Sequence, residues 1–195
     1  NKKEHLFLAE TTINFNPTTE ELADITLMVE KKKKNFGITP RVALLSYSNF
    51  GSSNTPEAIL VRKARELLKQ KSPDLIADGE MQGILAFDKD ILKENYPFSE
   101  LADADVNVLI FPNLSAGNIA YNLLQELGGF DTIGPILMGL AKPVHVLQLG
   151  SSVRSIVNMV LIAVVDAQQK CPERKQNADK EQHWWKKSKK INELM

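Results

Sequence analysis

Residues 43–53, ALLSYSNFGSS, gather the side chains best suited to holding a ligand. An apolar run over 42–45 stops abruptly and gives way to Ser46, Ser48, Asn49, Gly51 and Ser52. Hydroxyls, an amide and the N–H groups of a glycine-containing turn are donors for an anion or a phosphorylated molecule. Gly51 lets the backbone come close, and Pro56 opens a helix whose amino terminus aims at the same space.

A second group is Asp78, Glu80 and Gln82 in DGEMQG, residues 78–83. Alternate residues of an extended segment point the same way, so the three could converge on one ligand. Equally, Asp-Gly is a turn signal, and the acids could pin a loop. Asn113, Ser115, Gly117 and Asn118 in PNLSAGN form a third group, readable as a ligand loop or as turn chemistry with Asn118 capping its helix. In QLGSSVRS, 148–155, Gly150, Ser151 and Ser152 open a helix whose N–H groups suit phosphate or sulfate. Arg154 reads there as an added cation or as a surface residue.

Other side chains promise less. His145 lies in an apolar stretch and reads as a hydrogen-bonded core histidine, while His5 and His183 sit near the chain ends. The three share no metal-ligand spacing. No GxGxxG, P-loop or nucleophile elbow occurs. Cys171 lies past the last apolar segment with no neighbour to lower its pKa, so it is no candidate nucleophile.

Alternating apolar strands and amphipathic helices position these loops. Strands are expected at 6–9, 42–45, 75–77, 106–111, 133–138 and 144–147. Thr18 and Glu21 have capping-box spacing before a helix that presents Leu22, Ile25, Met28, Val29 and Phe36. The four lysines at 31–34 read as its solvated last turns, with phosphate binding as the other reading. Thr55 and Pro56 start a helix with Ile59, Leu60, Ala64, Leu67 and Leu68 inward. A weaker helix spans 84–94, and another runs over 119–127 to Gly128 and Gly129. Ser152 caps a last helix that buries Val153, Ile156, Val157, Val160, Leu161 and Val164. The fold class is therefore α/β, a layered, mostly parallel sheet flanked by helices.

The 195 residues suit one domain, and 24 Lys+Arg against 24 Asp+Glu leave no overall field toward nucleic acid or membrane. Residues 170–195 form a polar tail with eight Lys/Arg against four Asp/Glu. Trp184 and Trp185 are too few aromatics for a nucleic-acid arm. A single cysteine, no membrane-length apolar run and no signal peptide point to a cytoplasmic protein. A core strand so near the first residue hints at sequence upstream.

Taken together, ALLSYSNFGSSN, DGEMQG, NVLIFPNLSAGNIAYNLLQELGG, IGPILMGLAKPVHVLQ and GSSVRSIVNMVLIAVVDAQ resemble the later part of the phosphate acetyltransferase/butyryltransferase family, from about Leu6 to Gln169. NFNPTTEELADI, FGITPRVALLSYSNFGS, HVLQ and VVDAQ are most similar to the transacetylase-like domain fused behind bacterial NADP-dependent malic enzymes. The resemblance implies a two-lobed fold of the isocitrate dehydrogenase type, a cleft for CoA and acetyl phosphate, and a homodimer. Residues 1–169 would be the later part of such a domain, and 170–195 an added tail. NADP and a divalent metal are implied only for malic-enzyme domains outside this chain. Within it the ligand would be acetyl-CoA or CoA.

The departures from the family bear on activity. A Ser-Arg-Gly segment is replaced by Gln148, Leu149 and Gly150; a family aspartate is Ser155, and another is Ile84. Acyl transfer to or from phosphate needs positive charge on the phosphoryl oxygens and a base near the thiol. With the catalytic positions held by Gln148, Leu149 and Ser155, the expectation is a regulatory and dimerising module that binds acetyl-CoA or a similar acyl-CoA. Its ligand residues would be Ser48, Asn49, Gly51, Ser52, Asp78, Glu80, Gln82, Asn113, Gly117, Asn118 and Ser151. The alternative is an active phosphate acetyltransferase using other residues. A dimerisation piece that binds nothing is the third reading.

Overall fold

The computed structural model describes residues 5–10, 12–128, 132–147 and 150–170. The chain divides into two compact units, Asn1–Phe130 and Asp131–Met195.

The first unit is built on four parallel strands, β1 (Phe7–Ala9), β2 (Arg41–Leu45), β3 (Ile76–Met81) and β4 (Val108–Ile110), in the order β1-β4-β2-β3. Its helices are α1 (Thr19–Asn35), α2 (Pro56–Lys71), α3 (Gly83–Phe87), α4 (Lys89–Asn95) and α5 (Leu114–Gly128). Val42, Ala43 and Leu44 are wholly buried, as a strand covered on both faces requires. Ala43, Leu45, Met81, Leu109 and Phe111 pack with Leu85, Ala86 and Leu92 of α3 and α4, and with Ala116 and Ala120 of α5. Alternation turns Val42 and Leu44 to the other face, where α1 and α2 pack together.

Thr18 and Glu21 form the expected capping box, with Glu21 N–H donating to Thr18 Oγ1 (3.2 Å) and Thr18 N–H to Glu21 Oε2 (2.8 Å). The lysine run ends the helix in solvent only in part, with Lys31 and Lys34 exposed. Lys33 is fully buried, its Nζ donating to Asn107 O (3.1 Å) and lying 4.7 Å from the centre of the Phe7 ring. Its long stem lets an α1 cation reach across to the start of the sheet.

Other expectations shift with local chemistry. The third strand runs four residues past its expected end at 77, through Asp78 and Glu80 to Met81. The helix expected at 84–94 is two short helices broken at Asp88, whose carboxylate accepts from Ile91 N–H (3.0 Å). Residues 132–147, expected to hold two strands, have no regular structure. Gly134, Pro135, Gly139 and Pro143 interrupt the run, and proline brings no N–H to a ladder.

The second unit contains α6 (Val153–Lys170). Ser152 caps it as expected, accepting from Ser155 N–H (3.1 Å). Its apolar stripe is not buried within the chain: Val153, Ile156, Val157, Val160, Leu161 and Val164 are 41–78 % exposed. Helical periodicity marks a face that needs cover without saying what covers it. Gly129, Gln148, Leu149, Cys171, His183, Trp184, Trp185 and the rest of the tail lie outside the described residues.

Candidate functional site

Parallel strands deliver all their carboxyl ends to one edge of the sheet. At that edge β2 and β4 are neighbours, yet α2 leaves β2 on one face while α5 leaves β4 on the other. By the general rule for open α/β sheets, loops that part in this way border the crevice where ligands bind. Residues 46–53 and 112–113, drawn from the stretches 43–53 and 112–118 singled out in the sequence, flank it.

The first loop is already wrapped around an anion, and the anion is its own protein's. Glu80 is fully buried, and Oε1 accepts from Ser48 Oγ (2.9 Å), Gly51 N–H (2.8 Å) and Arg62 Nη2 (2.8 Å). Arg62 Nε holds Oε2 at 3.0 Å, and Arg62 Nη2 also donates to Ser53 O (2.8 Å). Burial would raise the Glu80 pKa; hydrogen bonds from Arg62, Gly51, its own backbone N–H and Ser48 outweigh that and hold it below the ordinary glutamate value. Ser48 Oγ accepts from Ser53 N–H (3.0 Å), Asn49 N–H donates to Ser52 Oγ (2.9 Å), and Phe50 N–H donates to Glu80 O (2.8 Å). The N–H groups of residues 46 and 48–53 thus all donate within the protein.

A β-bulge aims Glu80 at this loop. Leu44 pairs with Gly79 and Leu45 with Met81, which leaves Glu80 as the extra residue. Gly79 has φ +145°, and a Cβ there would lie 2.5 Å from Leu44 O, so only glycine fits. The bulge also overturns the expected convergence of Asp78, Glu80 and Gln82, since strict alternation fails at that point. Buried Asp78 turns to Arg65 Nε (3.2 Å), Gly79 N–H (3.0 Å) and Glu100 N–H (3.2 Å). Exposed Gln82 instead clasps the first loop: its N–H donates to Asn49 Oδ1 (2.7 Å) and its Nε2 to Tyr47 O (2.7 Å).

Across the crevice, Asn113 rather than Asn118 caps α5, its Oδ1 accepting from Ala116 N–H (2.9 Å). Asn118 lies inside the helix, its Oδ1 accepting from Asn122 Nδ2 (3.1 Å). Gly117 is a packing glycine, because a Cβ there would be 2.2 Å from Glu10 O at the end of β1. Glu10, buried at φ +66°, holds Asn14 through both carboxylate oxygens (2.8 and 2.9 Å). Asn49 and Asn113 are half-buried, while Ser52, Gln82, Ser115 and Asn118 are exposed. Amides and hydroxyls of this kind recognise a ligand by hydrogen bonds; they are poor groups for moving protons.

In the second unit, Ser155 lies in the first turn of α6 with its hydroxyl 2.9 Å from that of Ser152. Ser151 is half-buried and Arg154 exposed, each with a partner, and Gly150 has φ +87°. His145 is the hydrogen-bonded histidine expected, its Nε2 3.0 Å from Asp166 Oδ2 with both side chains largely buried. Among the described residues, no group of three or more His, Cys, Asp or Glu could hold a metal, and no helix is long and apolar enough to cross a membrane.

Arg62 and Arg65 belong to none of the loop motifs. The signal was present: two arginines three apart on the helix leaving β2, and two acids two apart in the next strand. An i, i+3 spacing puts both cations on one helix face, one for each acid.

The family model for phosphate acetyl/butaryl transferases matches residues 1–164. The chain is 50% identical over 163 residues to the NADP-dependent malic enzyme of Escherichia coli K12, covering 83% of the chain and 21% of that relative. It is 39% identical over 165 residues to the phosphate acetyltransferase of Bacillus subtilis 168, covering 85% of the chain and 51% of that relative. A phosphotransacetylase crystal structure from Streptococcus pyogenes superposes with a TM-score of 0.81 at 40% identity, over 87% of this chain and 51% of that one. The chain thus spans about a fifth of that malic enzyme and about half of these two transacetylases.

Proposed function

Because the chain belongs to the phosphate acetyl/butaryl transferase family, we propose that it is the transacetylase-like part of an NADP-dependent malic enzyme, a module that binds acetyl-CoA or a similar acyl-CoA and helps to dimerise the enzyme. Oxidation of malate, with its NADP and divalent metal, falls to the rest of such a protein, and its place is the cytoplasm. The ligand enters the crevice between the β2 and β4 loops, beside Asn49 and Asn113.

The observation that carries this reading is Ser155. Where the family keeps an aspartate, this chain has a hydroxyl engaged with its own helix cap, 2.9 Å from Ser152 Oγ, while the crevice and its amides persist. A serine so placed supplies no base for the CoA thiol. The exposed stripe of α6 supports the homodimer, since six apolar side chains in water are a surface awaiting cover.

The second reading is an active phosphate acetyltransferase, favoured by the likeness to the phosphotransacetylase structure. A coupled assay of acetyl-CoA formation from acetyl phosphate and CoA separates the two. The module forms no product above background, whereas turnover abolished by Asn113→Ala would establish the transferase. A piece that only dimerises would show no melting shift with any acyl-CoA.

A further inference from the structure

We propose that Arg62 is a positioning residue for the crevice loop, acting through Glu80 to set the shape that residues 46–53 present to a ligand. Arg62 belongs to α2, outside every loop motif in the sequence, yet it touches the loop at two depths. It grips both oxygens of the Glu80 carboxylate, and it donates to Ser53 O at the loop's far end. The same carboxylate accepts from Ser48 Oγ and Gly51 N–H, and Ser48 Oγ in turn accepts from Ser53 N–H. The chain between Ser48 and Ser53 is therefore closed on itself around one charge pair. Gly51 rides directly on the guanidinium, since a Cβ there would lie 3.8 Å from Arg62 Cζ and Nη2.

The pair has a chemical consequence. Without Arg62, Glu80 keeps a buried charge that two neutral donors hold poorly, and the carboxylate moves toward water, drawing Ser48 and Gly51 with it. Neutralising the carboxylate removes that drive while leaving an acceptor for Ser48 and Gly51. Glutamine at 80 does this permanently, and a proton does it at low pH.

The inference rests on the reading of the crevice as an acyl-CoA site, and the test keeps the two apart. The full chain is compared with Arg62→Met, Arg62→Lys and the double variant Arg62→Met/Glu80→Gln. Amide hydrogen exchange is followed at Phe50 and Gly51, with Leu44 as the strand reference, and acetyl-CoA affinity is measured at about pH 5.5 and about pH 8. Arg62→Met should speed exchange at Gly51 about tenfold with Leu44 unchanged, and the double variant should restore most of the protection. Affinity should fall about tenfold at the higher pH, less at the lower, and return in the double variant. Arg62→Lys should fall between, because an ammonium cannot hold both carboxylate oxygens as a guanidinium does. Unchanged exchange at Gly51 in Arg62→Met, or loss that the double variant does not repair, would overturn the role of Arg62. Should Arg62→Met not fold, Arg62→Lys and its double with Glu80→Gln carry the same comparison. Wild-type titration alone judges the acyl-CoA reading; exchange judges Arg62 even if no ligand binds.

Discussion

Arg62 and Glu80 form a two-point pair beneath the first crevice loop, Nε 3.0 Å from Oε2 and Nη2 2.8 Å from Oε1, with the carboxylate fully buried. A loop whose composition reads as an anion cradle is thus filled from inside. What it offers a ligand is its outer surface, held in shape by that internal charge.

Acid should release this cluster. Glu80 titrates below the ordinary value of 4.5, so it adds stability above that pH and loses it as the pH falls through its folded pKa. In urea melts from about pH 7 down to about pH 3, the wild type should weaken more steeply than Glu80→Gln. Near neutrality the substitution should cost about 2 kcal/mol, because it strips Arg62 of its partner. Parallel acid limbs in the two proteins would count against the assignment.

Two glycines are fixed by close approach. Alanine at 79 would set a Cβ 2.5 Å from Leu44 O, and alanine at 117 would set one 2.2 Å from Glu10 O. Each should cost about 3 kcal/mol in urea unfolding, since backbone and not a flexible side chain must yield. Gly83→Ala, with nothing within 4 Å of the new Cβ, should stay within about 0.5 kcal/mol of wild type.

The lysine run should prove unequal. Lys33 is buried against Asn107 and Phe7, whereas Lys31 is exposed. Lys33→Ala should destabilise by about 2–3 kcal/mol, through the cavity it leaves and the loss of one of the two donors to Asn107 O, Phe7 N–H remaining at 3.0 Å. Lys31→Ala should be near neutral, and equal melting temperatures for the two variants would refute the burial of Lys33.

The stripe on α6 should matter to assembly. Val157→Glu/Leu161→Glu places two charges on a face that the single chain leaves in water. Sedimentation should show a dimer for wild type and a monomer for the variant, with helix content retained in circular dichroism. A monomeric wild type would remove the basis for the homodimer.

Legibility in the sequence followed how local the determining physics was. The strand at 42–45 was plain because burial on both faces leaves an uninterrupted apolar run. The capping box at Thr18 and Glu21 spans three residues and was equally plain. A loop-pinning role for Glu80 is one of the two readings open in the sequence, but the loop and the partners are not legible, since the partners lie 18 and 29–32 residues away and a bulge redirects the side chain. Lys33 was hidden for the same reason, its acceptor being 74 residues on. The apolar stretch at 133–147 shared composition with a strand, but its prolines and glycines deny it a ladder. The stripe of α6 is legible as apolar from its period, but its exposure is not, because the period does not say what covers the face.

Calorimetric titration of acetyl-CoA into the wild type and into Asn113→Asp decides whether the crevice is an acyl-CoA site. Aspartate caps a helix as well as asparagine, so α5 keeps its start while the crevice gains a negative charge. Binding to the wild type should saturate, and it should weaken about tenfold in the variant as the carboxylate repels the phosphates of CoA. Absence of binding to the wild type, or equal affinity in both proteins, would rule out an acyl-CoA site beside Asn113.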